Sequence, residues 1–363
     1  MTTNTETEDL KRMNKSALLR NFVVSTLALS VGAMLTAPAQ AETVIKVGTL
    51  QLPSSSTWQL VEKQFAAITA DTKGAVTFDV GYDNKYGKVT EVVSKVESND
   101  LQLAYVVFSS NPSRFASTGV VELPMIRRTS LAGTKALCAL QDAGMFDRDF
   151  KGLKVLTTWA LPTYAILLDD KRKIESPSDL RGVKIRAPGP TGARALQKLG
   201  AIPVNLGIGD TGKGLASGMI QGMAYGLYAS EITSGIDGKM LMDQVTQIID
   251  IGFSAPAVGL FMSEKYFNGL PPDVQQAFVK ELSAGCALGT VIAIDRDKQE
   301  DVTRQDLAKD GHHVFVNFDA AAIDAMHKEL TDVYDEWAAG VTKQGIDGKA
   351  LVEKAQTVIK QNE

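Results

Sequence analysis

The chain is poor in the residues that metal and redox chemistry draws on. Only two cysteines and three histidines occur in 363 residues. Cys138 and Cys286 stand far apart, and neither a C-x-x-C nor an H-E-x-x-H pattern is present, so a zinc site has no support. His312 and His313 are neighbours and would face opposite sides of a strand. Basic runs are also missing. With 38 basic against 42 acidic residues and a net charge of -4, nucleic acid is not an expected partner. No stretch approaches the roughly 20 apolar residues of a membrane-spanning helix, and no Pro/Gly/Ser-rich or low-complexity segment divides the chain.

The longest apolar run, residues 22–36, is instead part of an export signal. Lys11, Arg12, Lys15 and Arg20 precede it, and Ala39-Gln40-Ala41 follows as a small-x-small cleavage pattern. Residues 1–41 therefore read as a signal peptide and residues 42–363 as an exported, soluble and mildly acidic protein. In an oxidising compartment Cys138 and Cys286 could pair. Both lie on apolar helical stretches, and two buried free thiols are the simpler expectation.

Elements alternate along the mature chain. Residues 44–50, 76–82, 101–108, 154–159, 164–168, 183–187 and 203–206 are strand-like, with helical spacing at Trp58, Val61, Phe65 and Ile68 and in residues 87–98 and 192–199. This pattern predicts α/β layers on largely parallel sheets. Pro271-Pro272-Asp273 opens a long helix expected to reach about residue 309. Ile323, Met326, Leu330, Val333 and Trp337 make the core-facing stripe of another.

Catalytic patterns fail on inspection. Gly207-Ile208-Gly209-Asp210-Thr211-Gly212-Lys213-Gly214 imitates a phosphate loop, but Gly214 stands where a P-loop needs a hydroxyl for magnesium. No acidic residue follows at the Rossmann distance. Gly252-Phe253-Ser254-Ala255-Pro256 has proline where a nucleophile elbow needs glycine. No enzyme activity and no cofactor is expected.

One segment carries more. In Ser176-Pro177-Ser178-Asp179-Leu180-Arg181-Gly182-Val183-Lys184-Ile185-Arg186-Ala187-Pro188-Gly189, Arg186 ends a strand before a Pro/Gly turn. Ligands of open α/β sheets sit at such strand ends, and an arginine there can grip a carboxylate with two parallel hydrogen bonds. On the residues alone, a surface ion pair is the ordinary alternative. The segment resembles the signature of the DctP-type solute receptors of TRAP (tripartite ATP-independent periplasmic) transporters. Leu199-Gly200-Ala201-Ile202-Pro203-Val204, Gly218-Met219-Ile220-Gln221-Gly222, Val121-Glu122-Leu123-Pro124-Met125 and Asn268-Gly269-Leu270-Pro271-Pro272-Asp273-Val274-Gln275 follow the same family in order.

The resemblance implies a periplasmic binding protein-like α/β fold: two lobes, crossing strands, a hinge, a ligand cleft and a long lobe-spanning helix. The expected division is residues 42–163 with about 252–291 in lobe I, and 164–251 with about 292–363 and the C-terminal helices in lobe II. Arg186 takes the family's carboxylate-binding place. Tyr164 and Ala165 stand where many members carry a second arginine, and Tyr225 where many carry asparagine, which implies a less polar, more aromatic pocket with one fixed charge contact. Gln51, Ser55, Trp58, Phe108, Ser109, Trp159, Tyr225 and Tyr228 are candidate lining residues, with core packing the alternative for each aromatic. Glu231 reads as a solvated helix face rather than a metal ligand. The expected partners are a small organic acid and the integral membrane subunits of a TRAP transporter, with the receptor itself not membrane-inserted. Some relatives pair through an extended C-terminal helix; no such segment is evident, so a monomer is expected. A receptor feeding a sensor kinase or another transporter is the alternative output, and an exported enzyme a more remote one.

Overall fold

The computed structural model describes residues 42–227, 240–283 and 286–363. The signal-peptide reading falls on residues 1–41 and lies outside them. Two mixed sheets organise the chain. The first holds β1 (Thr43–Gly48), β2 (Val76–Gly81), β3 (Leu103–Val107), β4 (Leu153–Ala160) and β10 (Ala257–Ser263) in the order β2-β1-β3-β10-β4. The second holds β5 (Tyr164–Leu168), β6 (Lys184–Arg186), β7 (Ile202–Val204), β8 (Gly222–Tyr225), β9 (Gln247–Phe253) and β11 (Val314–Phe315) in the order β11-β9-β5-β8-β6-β7.

The sheets are parallel except for one strand each. In the first, β10 runs antiparallel to β3 and β4; in the second, β5 runs antiparallel to β8 and β9. These are the strands that follow the two crossings, β4 to β5 and β9 to β10. A chain that leaves one sheet and runs straight into the other enters it against the prevailing direction.

Alternation sorts side chains between layers. Leu103 and Tyr105 of β3 join the core around Trp58, Phe65 and Trp159. Ala104, Val106 and the following Phe108 face the opposite core with Phe115, Phe150 and Phe261. Helix α1 (Ser56–Asp71) buries Trp58, Val61, Phe65 and Ile68 on the first of these, at the spacing read from sequence. Its N-cap is Ser55, whose hydroxyl accepts from the Trp58 N–H.

Two long helices tie the sheets together. Helix α5 (Ala287–Leu307) starts against β4, where Leu288 and Ile292 join the first core. It ends beside β9, where the Arg304 guanidinium pairs with Asp250 at 2.7 Å. Helix α6 (Ala320–Thr342) buries Met326, Leu330 and Val333 on the second sheet beside Ala195 and Leu196 of α3 (Pro190–Lys198), then Tyr334 and Val341 in the first-sheet core. The fold is thus two α/β lobes with lobe-spanning helices.

Three expectations change. The helix opened by Pro271 is not continuous: α4 (Pro272–Phe278) passes into a π-type turn, Val279–Ser283, and α5 begins after Cys286, whose φ is 63°. The cysteines are not free, since Cys138 of α2 (Ser130–Asp142) is bonded to Cys286 at this break, with 6.2 Å between Cα atoms. The final helix α7 (Gly348–Asn362) packs its Leu351, Ala355, Val358 and Ile359 into the first-sheet core, although the sequence grouped residues 292–363 with the second lobe. Helical periodicity shows that a face is buried, not what buries it.

Candidate functional site

Arg186 closes β6, whose two neighbours β7 and β8 run parallel to it. Its carboxyl end therefore lies where the chain turns outward through Ala187, Pro188 and Gly189. The half-buried guanidinium is held by backbone carbonyls on both sides. Nε donates to the Leu206 carbonyl at 3.2 Å and Nη1 to the Ala224 carbonyl at 3.3 Å. The Tyr225 ring lies 5.8 Å from Cζ, within cation–π range. Among the described residues Nη2 has no hydrogen-bond acceptor, and no carboxylate pairs with the group. A guanidinium so fixed is pre-organised to receive an oxyanion.

The surroundings are aromatic and come from both sheets. Tyr164 of β5 stacks at a tilt on Tyr225 of β8, 5.5 Å between ring centres. From the first sheet, Tyr105 of β3 lies 5.7 Å from Trp159 of β4 and 6.2 Å from Trp58 of α1. Charge interactions connect the two groups: the Tyr164 hydroxyl senses Tyr225, Arg186, Tyr105 and Glu122, and the Tyr105 hydroxyl senses Tyr225 and Arg296. Burial raises the pKa of both tyrosines above its ordinary value, so both are neutral hydrogen-bonding groups. Nearby Gln51 acts on the Tyr105 hydroxyl in the opposite direction, a smaller effect.

Where the lobes meet, Glu122 is 4% exposed. Its carboxylate accepts from the Ala257 N–H at 2.9 Å, and its carbonyl accepts from the Ser254 hydroxyl. Neighbouring Arg127 donates to the Val121, Thr129 and Ala255 carbonyls. Both residues grip the β9–β10 crossing. Burial raises the Glu122 carboxyl to about 7, opposed by the Ala257 N–H, Arg127 and a Ser109 hydrogen bond. A cavity of about 220 Å³ adjoins it, lined by Ser109, Phe115 and Trp337 on the first-lobe side and by Pro190 and Thr191 opposite. A larger one of about 380 Å³ opens between α1 and β2 and shares no residue with Arg186.

The sequence-derived candidates separate accordingly. Arg186, Tyr225, Trp159 and Gln51 converge with Tyr105 and Tyr164. Ser109 abuts the opposite lobe, where a Cβ on Gly189 would stand 3.1 Å from the Ser109 Cβ. Phe108 is corrected: alternation along β3 turns it away from Tyr105 into the Phe115–Phe150–Phe261 cluster. Ser55 and Trp58 support the site from behind. Ser55 caps α1 and donates to Gln51 at 2.8 Å, while Trp58 is fully buried between Phe65 and Tyr105. Tyr228 and Glu231 lie outside the described residues. Among the described residues no group of three metal-ligating side chains exists. Tyr105, Glu122 and Arg296 were not singled out; an alternating strand offers no mark separating a site tyrosine from a core one.

Two lobes joined by paired crossings, with an arginine at a strand end between them, define a periplasmic binding protein-like receptor. The family comparison makes the assignment specific. Residues 48–340 match the model of DctP, bacterial extracellular solute-binding protein family 7, and the chain belongs to that family, the solute-binding proteins of TRAP transporters. A solute-binding protein of Verminephrobacter eiseniae (strain EF01-2) is 26% identical over 288 residues, 78% of this chain and 83% of the relative. One from Sulfitobacter sp. (strain NAS-14.1) is 23% identical, covering 88% and 96%. A marine metagenome TRAP solute-binding protein specific for aromatic acid ligands, solved with metahydroxyphenylacetate, superposes with a TM-score of 0.79 at 21% identity, covering 89% of this chain and all of that one. The Rhodoferax ferrireducens T118 protein, solved with copurified benzoate, gives 0.77 at 18% identity, covering 88% and 98%.

Proposed function

We propose that this protein is the extracytoplasmic receptor of an ion-gradient-driven TRAP transporter and that it captures a small organic monocarboxylate without transforming it. The observation that carries the reading is the Arg186 guanidinium, fixed by two carbonyls with Nη2 directed to no protein acceptor among the described residues. The ligand carboxylate takes that place, and the rings of Tyr225, Tyr164, Tyr105 and Trp159 enclose its apolar body. Solved structures of similar fold hold benzoate, metahydroxyphenylacetate or mandelate, and the aromatic lining here suits an acid of that kind.

The two crossings, near residues 160–164 and 253–257, serve as the hinge, with residues 42–163 and about 252–291 forming the first lobe together with α7. Residues 1–41 direct export to the periplasm. Closure of the lobes buries the acid, and the closed monomer hands it to the integral membrane subunits.

The test is a thermal-shift screen of protein purified after export against organic acids, amino acids and neutral sugars. A ligand at one hundred times its Kd stabilises the fold by about 2.7 kcal/mol. Stabilisation confined to monocarboxylates supports the proposal. Stabilisation by neutral sugars alone contradicts it.

A further inference from the structure

Trp159 presents a donor that the fold leaves unanswered. The side chain is fully buried at the carboxyl end of β4, beside the crossing into the second lobe. Its indole N–H has no hydrogen-bond partner among the described residues. Indole nitrogen only donates, and buried donors without acceptors are rare enough to require a reason. Packing explains the ring, which lies against Tyr105 in the core around α1, but not the polar edge. A phenylalanine would fill such a place with no orphaned group.

The position of that donor relative to Arg186 gives it a use. Arg186 belongs to the second lobe and Trp159 to the first. Between them stand Tyr225, 5.8 Å from the guanidinium, and Tyr105, 5.7 Å from the indole and charge-coupled to Tyr225. Gln51 in turn stands close enough to the Tyr105 hydroxyl to lower its pKa. The Arg296 guanidinium, tied to Ser56 and 3.8 Å from Asp295, adds positive charge there. A ligand whose carboxylate rests on Arg186 would meet this region with its far end.

We infer that the receptor selects acids carrying a second oxygen remote from the carboxylate, and that Trp159 Nε1, beside the Tyr105 hydroxyl, is the donor that reads it. The inference rests on the proposed carboxylate role of Arg186. The ligand class is an acid, aromatic or of comparable bulk, with a hydroxyl, carbonyl or ether oxygen at the opposite end. Trp159 is then a specificity-determining residue: it holds a donor that an unsubstituted acid leaves buried and unmet, while an oxygenated acid satisfies it.

The experiment is calorimetric titration of the exported protein with matched pairs: benzoate against 3- and 4-hydroxybenzoate, phenylacetate against its 3- and 4-hydroxy forms, and hexanoate against 6-hydroxyhexanoate. Wild-type protein should favour one oxygenated member over its parent by at least about tenfold, the worth of one buried hydrogen bond. In Trp159→Phe, which keeps a ring and removes the donor, that preference should fall to near unity while the parent acid binds as before. The wild-type preference is read without any variant, so poor folding of Trp159→Phe does not block the test. Parents and oxygenated acids binding wild type equally would overturn the inference, as would an undiminished preference in a folded Trp159→Phe. Arg186→Ala separates the two claims: carboxylate binding that survives in this variant, or no binding of any acid by wild type, overturns the carboxylate reading itself.

Discussion

Burial sets the ionisation of Glu122, and the sign of its effect on stability follows. An acid raised from 4.5 to about 7 keeps its proton in the folded state where the unfolded chain has released it. Stability is therefore lost as pH rises from about 4.5 to about 7, by up to about 3 kcal/mol for one group. Glu336 works in the opposite direction: Arg194 and Lys198 hold it down to about 2, so its contribution is present above about 4.5 and lost as pH falls towards 2. In Glu122→Gln, the fall in melting temperature between pH 5 and 7.5 should flatten relative to wild type while the response below pH 4 is unchanged. Identical profiles for both proteins over pH 5–7.5 would count against a buried, protonated Glu122. At this scale the sequence was partly legible. Arg186 stood out because a strand end, a Pro/Gly turn and a family signature coincide there. Glu122 lay in a quoted motif, but nothing in Val121-Glu122-Leu123-Pro124-Met125 says that its carboxylate turns inward to the Ala257 N–H.

Elements were legible where periodicity was unambiguous. The strand at 76–81 and the stripe of α6 are where alternation and 3-4 spacing placed them. β10 was missed as a strand because all seven of its residues are buried; a strand covered on both faces shows no period of two. The break between α4 and α5 was hidden because the composition stays helical through it. Just beyond it, Gly289 lies so close to β4 that a Cβ would sit 2.2 Å from the Thr158 carbonyl oxygen. Gly289→Ala should force the helix away from the sheet and cost about 1–3 kcal/mol, read as a lower denaturant midpoint; an unchanged midpoint would mean that the contact is not this tight. The Cys138–Cys286 bridge closes a separation of 148 residues. Replacing both cysteines by serine should lower stability by about 2–5 kcal/mol, whereas equal melting of that variant and the oxidised protein would show that the bridge adds nothing.

The whole molecule is two sheets that the chain crosses twice as extended strand and spans twice with helices. Such a connection permits rotation of one lobe against the other while preserving each core. Gly189 marks where the lobes touch. Its φ of 109° is a conformation that side-chain-bearing residues avoid, and it faces Ser109 across the boundary. Gly189→Ala should therefore both strain the turn after β6 and obstruct closure, seen as weaker ligand binding with a smaller ligand-induced decrease in the radius of gyration. Full affinity and full compaction in that variant would place the closing contact elsewhere. The lobed architecture was readable because four motifs in order identified the family. The attachment of α7 was not, since it depends on which of two apolar surfaces the last helix meets.

Recognition of a carboxylate by Arg186 is the central claim, and a two-by-two titration tests it directly. An acid identified by screening and its neutral primary amide would each be titrated into wild type and Arg186→Ala. Wild type should prefer the acid by roughly 10- to 100-fold, as expected for charge-assisted hydrogen bonds. In Arg186→Ala the preference for the acid should be lost, because the guanidinium that receives its charge is gone. A preference for the acid that survives in the variant would place the carboxylate on another residue and contradict the account.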